Sequence, residues 1–238
     1  MGNHGVIGCK SLRMIKDGAC GKMRLGIYKP IANNGETESL SMSVQIKPKA
    51  LQGGWKQGFA LDVHTTSSTF VGHNEYGRPE FATTRSPLGE LLYRLKYGRD
   101  PSVIEEIVNT VAEFLKASKI GIDAIVPMPA SNFRTVQPVL QIANALGKKL
   151  GVPVLENCVS KTKKTPQLKD VYNYEERTKL LEGAFTVDRD QCAGKSLLLF
   201  DDLYRSGATM NAVAQELTKT GAAREVFVLA LTHTRSSL

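Results

Sequence analysis

Two adjacent carboxylates, Asp201 and Asp202, follow four consecutive apolar residues at positions 197–200. Such an apolar run is typical of a strand buried on both faces of a parallel sheet. A short loop comes next, and its small and hydroxyl-bearing residues are Ser206, Gly207, Ala208 and Thr209. Carboxylates accept hydrogen bonds from neighbouring hydroxyl groups, and backbone N–H groups that converge at a helix N-terminus bind phosphate. The stretch therefore predicts a site for a ribose 5-phosphate.

The same stretch resembles the motif by which type I phosphoribosyltransferases bind phosphoribosyl diphosphate (PRPP), which is an apolar strand, two acids and a Thr/Ser-Gly-x-Thr loop. The resemblance implies that Asp201 and Asp202 are the catalytic pair at the ribose. It implies that Mg²⁺ arrives with PRPP, without a direct protein ligand. The implied 5-phosphate cradle consists of Arg205, Ser206, Gly207, Ala208 and Thr209. Arg205 stands where a small hydroxyl residue is usual, so it either adds a charge-assisted contact to the phosphate or crowds it.

A second loop follows a predicted strand at 122–126 and begins with Pro127 and Pro129. Because α/β folds bind ligands at the carboxyl edge of the sheet, this loop is a candidate binding loop. In the resemblance it corresponds to the diphosphate-binding loop. Its contacts there would be Ala130, Ser131 and Arg134. For the two prolines, a stiff strand-to-helix turn explains the residues equally well.

Residues 161–169 contain four lysines and no acid, a composition that predicts a mobile surface loop. In type I phosphoribosyltransferases a flexible loop at this place closes over the diphosphate. The residues in that role would be Lys163, Lys164 and Gln167. Basic side chains suit a leaving group whose negative charge grows in the transition state. A solvated run of charge remains the alternative.

Three separated stretches, at 165–167, 176–177 and 183–185, resemble segments of the ComF family, and the resemblance covers about residues 86–235. ComF proteins are phosphoribosyltransferase-like and include competence proteins and the gluconate-utilisation relative GntX. The resemblance implies one of two functions. The first is a phosphoribosyltransferase that moves phosphoribosyl from Mg-PRPP to an unknown acceptor. The second is a non-catalytic adaptor that contacts DNA or a DNA-processing partner, and both stay open at this level.

The remaining pattern predicts the elements that would hold these loops. Apolar periodicity indicates helices at 88–97 and 103–115 and strands at 59–63, 68–71, 152–155 and 226–231. Asp62 and His64 would be ordinary polar residues of edge strands, and Lys96, with Arg94 and Arg99, would form a solvated helix face. The predicted fold class is α/β, with a type I phosphoribosyltransferase-like parallel sheet flanked by helices and a small N-terminal β region.

The 238 residues fit one medium-sized domain with an appendage. The predicted division is a disordered extension or mischosen translation start at 1–41, a β-rich segment at 42–85 and the phosphoribosyltransferase-like domain at 86–238. A net charge of +8 favours anionic partners and admits nucleotides, diphosphates and nucleic acid equally. No apolar run approaches the ~20 residues of a membrane span, and the cysteines form no CxxC pair. A cytoplasmic protein without a membrane partner is expected.

Overall fold

The structure is a computed structural model that describes residues 42–130, 137–163 and 174–235, together with the backbone of residues 12–16 and 23–27. Its strands are β1 Leu12–Lys16, β2 Met23–Ile27, β3 Lys49–Ala50, β4 Gln57–Val63, β5 Thr65–His73, β6 Pro79–Arg85, β7 Ala124–Pro127, β8 Val159–Lys161, β9 Phe185–Val187, β10 Ser196–Tyr204 and β11 Glu225–His233. Its helices are α1 Pro87–Tyr97, a 3₁₀ turn at Pro101–Val103, α2 Ile104–Ala117, α3 Pro138–Leu150, α4 Tyr174–Leu181, α5 Arg189–Cys192 and α6 Ala208–Lys219.

Five strands form the central sheet in the order β3-β4-β11-β10-β7. Strands β4, β11, β10 and β7 run parallel, and β3 joins β4 antiparallel at one edge. The predicted α/β class is confirmed, with one antiparallel strand added to the parallel sheet. Strand β10, which carries Asp201 and Asp202, lies between β11 and β7 and is therefore internal.

The apolar run before the two acids is buried on both faces of the sheet, as predicted. Leu197 and Leu199 belong to the core that includes α6, whereas Leu198 and Phe200 belong to the core that includes α1, α2 and α3. Each of these four side chains is at most 1% exposed. Because side chains alternate along a strand, a continuous apolar run is needed where helices cover both faces.

Helix α1 begins at the predicted place and covers the end of β4. The Ser86 hydroxyl accepts the Gly89 N–H at 3.0 Å, and Pro87 occupies the first helical position. A Cβ at Gly89 would lie 2.3 Å from the His64 carbonyl oxygen. The glycine therefore lets the helix start approach the backbone that follows β4.

Strands β5 and β6 form an antiparallel hairpin outside the central sheet. Strand β5 extends well beyond the predicted strand at 68–71 at both ends. In contrast, β3 and β4 belong to the central sheet, so that sheet runs across the predicted boundary between 42–85 and 86–238. That division of the chain stays a prediction.

Two further segments differ in detail from the predicted pattern. Strands β1 and β2 pair antiparallel inside the predicted extension 1–41, and the rest of that extension lies outside the described residues. The predicted strand at 152–155 is reduced to a single parallel bridge between Ile125 and Val154. Pro153 limits the pairing there because it has no N–H to donate. Among the described helices, none is long and apolar enough to cross a bilayer.

Candidate functional site

The carboxyl ends of three neighbouring parallel strands bring polar side chains to one edge of the sheet. Asp201 and Asp202 lie near the end of β10, Thr232 lies near the end of β11, and His64 directly follows β4. Neighbouring strands lie about 4.8 Å apart, so β4 and β10 are separated by about 10 Å across β11. Parallel α/β sheets bind their ligands at this edge.

The two acids differ in their environments. Both are half-buried, and the Asp202 N–H donates to Asp201 Oδ1 at 2.8 Å. Burial, followed by the neighbouring negative charge of Asp202, raises the pKa of Asp201 to about 8, against the opposing effects of that hydrogen bond and of Lys96. The raised pKa favours the protonated carboxyl group of Asp201, which can donate a hydrogen bond as well as accept one.

Asp202 forms an ion pair that the sequence did not predict. The Lys96 Nζ lies 2.5 Å from Asp202 Oδ2, and the two side chains are only 15% and 17% exposed. The prediction that Lys96 belongs to a solvated face is wrong. Lys96 follows Leu92 by four positions, on the buried side of α1, so its aliphatic stem runs along the core and its ammonium group reaches the sheet edge. The i, i+4 spacing of Leu92 and Lys96 was the sequence signal that could have predicted a partly buried Lys96.

His64 and Asp62 are also not the ordinary polar residues of edge strands that the sequence predicted. The His64 Nδ1 lies 3.2 Å from the Thr232 hydroxyl, which donates to the Asp202 carbonyl oxygen at 3.0 Å. Asp62 is only 3% exposed, and its Oδ1 accepts the Val63 N–H at 2.8 Å. Burial raises the pKa of Asp62, while hydrogen bonds from that N–H and from Ser86 oppose the shift. Asp62 therefore joins the end of β4 to the start of α1.

The loop between β10 and α6 contains the predicted phosphate cradle. Gly207 has φ 75°, a left-handed conformation that favours glycine, and α6 begins after it without a side-chain cap. The first N–H groups of such a helix lack partners within the helix. Of the predicted cradle residues, Arg205 is exposed, Ser206 and Thr209 are half-buried, and Gly207 and Ala208 are buried.

The predicted diphosphate and flexible loops are described only in part. Ala130 is exposed and follows β7, which pairs with β10, so it lies at the same edge as the acids. Lys163 is exposed, and its ammonium group donates to the Glu182 carbonyl oxygen at 2.9 Å. Ser131, Arg134, Lys164 and Gln167 lie outside the described residues. The roles of both loops stay predictions.

A cavity of about 300 Å³ lies between the β5–β6 hairpin and the end of β11. Its lining residues are His64, Thr65, Ser68, Thr83, Thr234 and Arg235. His64 thus faces both the cavity and the hydrogen-bonded chain that leads to Asp202.

Comparison with known proteins finds no matching family model and no matching curated protein. Solved structures do match, and the chain is similar in fold to phosphoribosyltransferases. Adenine phosphoribosyltransferase from Saccharomyces cerevisiae is 18% identical with a TM-score of 0.40, over 69% of this chain and 83% of that chain. The Trypanosoma brucei enzyme is 12% identical with a TM-score of 0.43, over 76% and 84%.

Glutamine PRPP amidotransferase from B. subtilis is 17% identical with a TM-score of 0.41, over 66% of this chain and 34% of that chain. At these identities and TM-scores no residue role transfers to this chain.

Proposed function

We propose that this protein binds Mg-PRPP at the edge formed by Asp201 and Asp202 and transfers its phosphoribosyl group to an acceptor, with release of diphosphate. The observation that carries the proposal is the half-buried acid pair, placed one short loop before the uncapped N-terminus of α6. A pair of hydroxyl-binding groups beside an anion cradle matches the two ends of a ribose 5-phosphate.

The different surroundings of the two acids suit a diol, because Asp202 is paired with Lys96 whereas burial raises the pKa of Asp201. Asp202 accepts a hydrogen bond from one ribose hydroxyl, and the protonated Asp201 donates to or accepts from the other. The N–H groups at the start of α6 and the positive end of its dipole hold the 5-phosphate. Arg205, exposed at the tip of the loop, adds a charge-assisted contact to that phosphate.

The chemistry follows from positioning and charge, without a protein nucleophile. Mg²⁺ binds substrate phosphates and keeps several waters, so it would be carried on the diphosphate and would compensate the negative charge of the leaving group. We place the diphosphate along the loop that begins at Ala130, next to β10 in the sheet. The lysines of residues 161–169 then close over it.

Single asparagine variants of the two acids test the proposal by isothermal titration with Mg-PRPP at pH 7. Asp202→Asn removes the negative charge that attracts hydroxyl donors, and a lost charge-assisted hydrogen bond costs about 1.5–3 kcal/mol. We expect affinity to fall about tenfold or more. Asp201→Asn resembles the protonated acid in shape and should have a smaller effect. Asp190→Asn, on the exposed surface of α5, is the matched control.

Equal affinity of wild type and Asp202→Asn for Mg-PRPP would refute the ribose assignment. The adaptor alternative predicts a different result. The wild type would then release no diphosphate from Mg-PRPP, whether or not it binds it, and would bind single-stranded DNA with an affinity that falls steeply as salt rises.

A further inference from the structure

The hydrogen bonds around Thr232 determine which nitrogen of His64 carries the proton. The Thr232 hydroxyl has one hydrogen, and its 3.0 Å bond to the Asp202 carbonyl uses that hydrogen, since a carbonyl oxygen can only accept. At its 3.2 Å contact with His64 Nδ1 the hydroxyl must therefore accept. Nδ1 carries the proton, and in the neutral ring Nε2 keeps a lone pair.

The surroundings of His64 favour the neutral ring. Burial lowers the pKa of His64, Lys96 on α1 and Arg85 on β6 lower it further, and only Asp202 on β10 opposes them. Arg235, which follows β11, also lines the cavity beside His64. A neutral imidazole with an unprotonated Nε2 is the form of histidine that accepts a proton at neutral pH.

The cavity beside His64 has the size for a small molecule. Its volume of about 300 Å³ is at the lower end for ligand sites, which are usually lined by apolar and aromatic side chains. Threonine and serine residues, with His64 and Arg235, line this one, and no Phe, Tyr or Trp does so among the described residues. A purine or pyrimidine would lack its usual stacking partner here.

We propose that His64 is the general base of the transfer reaction and that the acceptor is a small polar nucleophile with an N–H or O–H group, bound in the cavity between β5–β6 and the end of β11. This inference rests on the proposed function. The acceptor atom forms a bond to the anomeric carbon while the bond from that carbon to the diphosphate oxygen breaks. The acceptor proton moves to His64 Nε2, and the electron pair of the broken bond leaves with the diphosphate.

The tautomer can be tested without any substrate. In ¹⁵N–¹H spectra of the full chain at pH 7, the His64 ring should be neutral with the proton on Nδ1, and the signals are assigned by their loss in His64→Asn. Thr232→Val keeps the shape of the side chain but removes the hydroxyl acceptor, so the ring should change to the Nε2-protonated form. A wild-type ring that is charged, or protonated on Nε2, would overturn the proposal.

The role of His64 as the general base is tested by measuring diphosphate release from Mg-PRPP, with hydroxylamine as the acceptor probe. General base catalysis contributes a factor of about 10²–10⁴ to the rate, so His64→Asn should slow diphosphate release at least about 100-fold. The rate of the wild type should fall at low pH as His64 becomes protonated, and His64→Asn should abolish that fall. His64→Gln should behave in the same way, and both should bind Mg-PRPP within about twofold of wild type. His73→Asn, at an exposed histidine of β5, is the matched control.

Three results separate the failure of this inference from the failure of the proposed function. If wild type releases diphosphate and both His64 variants release it equally fast, His64 is not the base, although the protein is still a transferase. If wild type binds Mg-PRPP but shows no release with hydroxylamine, the proposed acceptor class is wrong. If wild type does not bind Mg-PRPP, the proposed function itself falls, and this inference with it.

Discussion

Replacing Lys96 by Met should destabilise the fold by about 2–3 kcal/mol. Breaking a fully buried ion pair by removing one partner costs about 3–5 kcal/mol, and an exposed pair contributes at most about 1 kcal/mol. The pair between Lys96 and Asp202 is short, at 2.5 Å, but its side chains are 15% and 17% exposed, which places the cost below the buried range. Methionine keeps the unbranched apolar stem, so little packing is lost with the charge.

Urea denaturation at pH 7 measures this change in the free energy of unfolding directly. In a separate thermal unfolding experiment the melting temperature should fall by about 4–12 °C, because 1 kcal/mol corresponds to about 2–4 °C in a chain of this size. Lys148→Met, at an exposed position of α3, is the matched control and should change stability by less than about 0.5 kcal/mol.

A double-mutant cycle assigns the effect to the pair and not to Lys96 alone. In the Asp202→Asn background the carboxylate that pairs with Lys96 is gone, so Lys96→Met should cost at least about 1 kcal/mol less there. The reasoning is refuted if the change costs the same in both backgrounds, or no more than Lys148→Met does.

Three other predictions concern residues of the same edge. The folded-state pKa of Asp201 is about 8, above the ordinary carboxyl value. Between about pH 4 and 8 the folded protein therefore keeps a proton that the unfolded chain has released. The stability from this group is lost as pH rises through that range. Urea melts of Asp201→Asn should therefore show a gain over wild type that grows toward pH 8 by at most about 1.4 kcal/mol per pH unit, and a gap independent of pH would contradict the assignment. Gly207→Ala places a Cβ 2.4 Å from the Tyr204 hydroxyl oxygen at φ 75°, whereas Gly151→Ala, at φ 70°, meets nothing within 4 Å. Thermal unfolding should show a loss of stability of about 1 kcal/mol for Gly151→Ala and a larger loss for Gly207→Ala. Arg205→Thr should weaken Mg-PRPP binding in calorimetry, and unchanged affinity would mean that the guanidinium contacts only solvent.

The local sequence was sufficient to predict the strand β10 and the start of the helix α1. The four apolar residues before Asp201 require a strand covered on both faces, and β10 is that strand. Ser86 and Pro87 carry the start signals of a helix, and α1 begins there. These features depend on residues within a few positions of one another, so a pattern along the chain contains the information.

Strand lengths were predicted less well for a physical reason. Pairing partners decide how far a strand extends, and the partner of β5 is β6, which no periodicity in 68–71 indicates. Likewise, Val152 to Leu155 has the composition of a strand but finds one bridge to β7 instead of a ladder. Sheet propensity describes a residue that fits a pleated surface, and only the fold supplies the surface.

The sequence by itself determined the internal strand β10, the two acids at its end and the glycine that turns the chain into α6. Only the tertiary structure brought Lys96, His64 and Thr232 to those acids, because the three residues come from α1, the end of β4 and β11, and the order of strands in the sheet decides which of them meet. Side-chain charge is decided in the same way. A carboxyl group such as Asp201 has an ordinary pKa in the unfolded chain, and its proton is retained at neutral pH only because the folded sheet removes water and places a second carboxylate beside it.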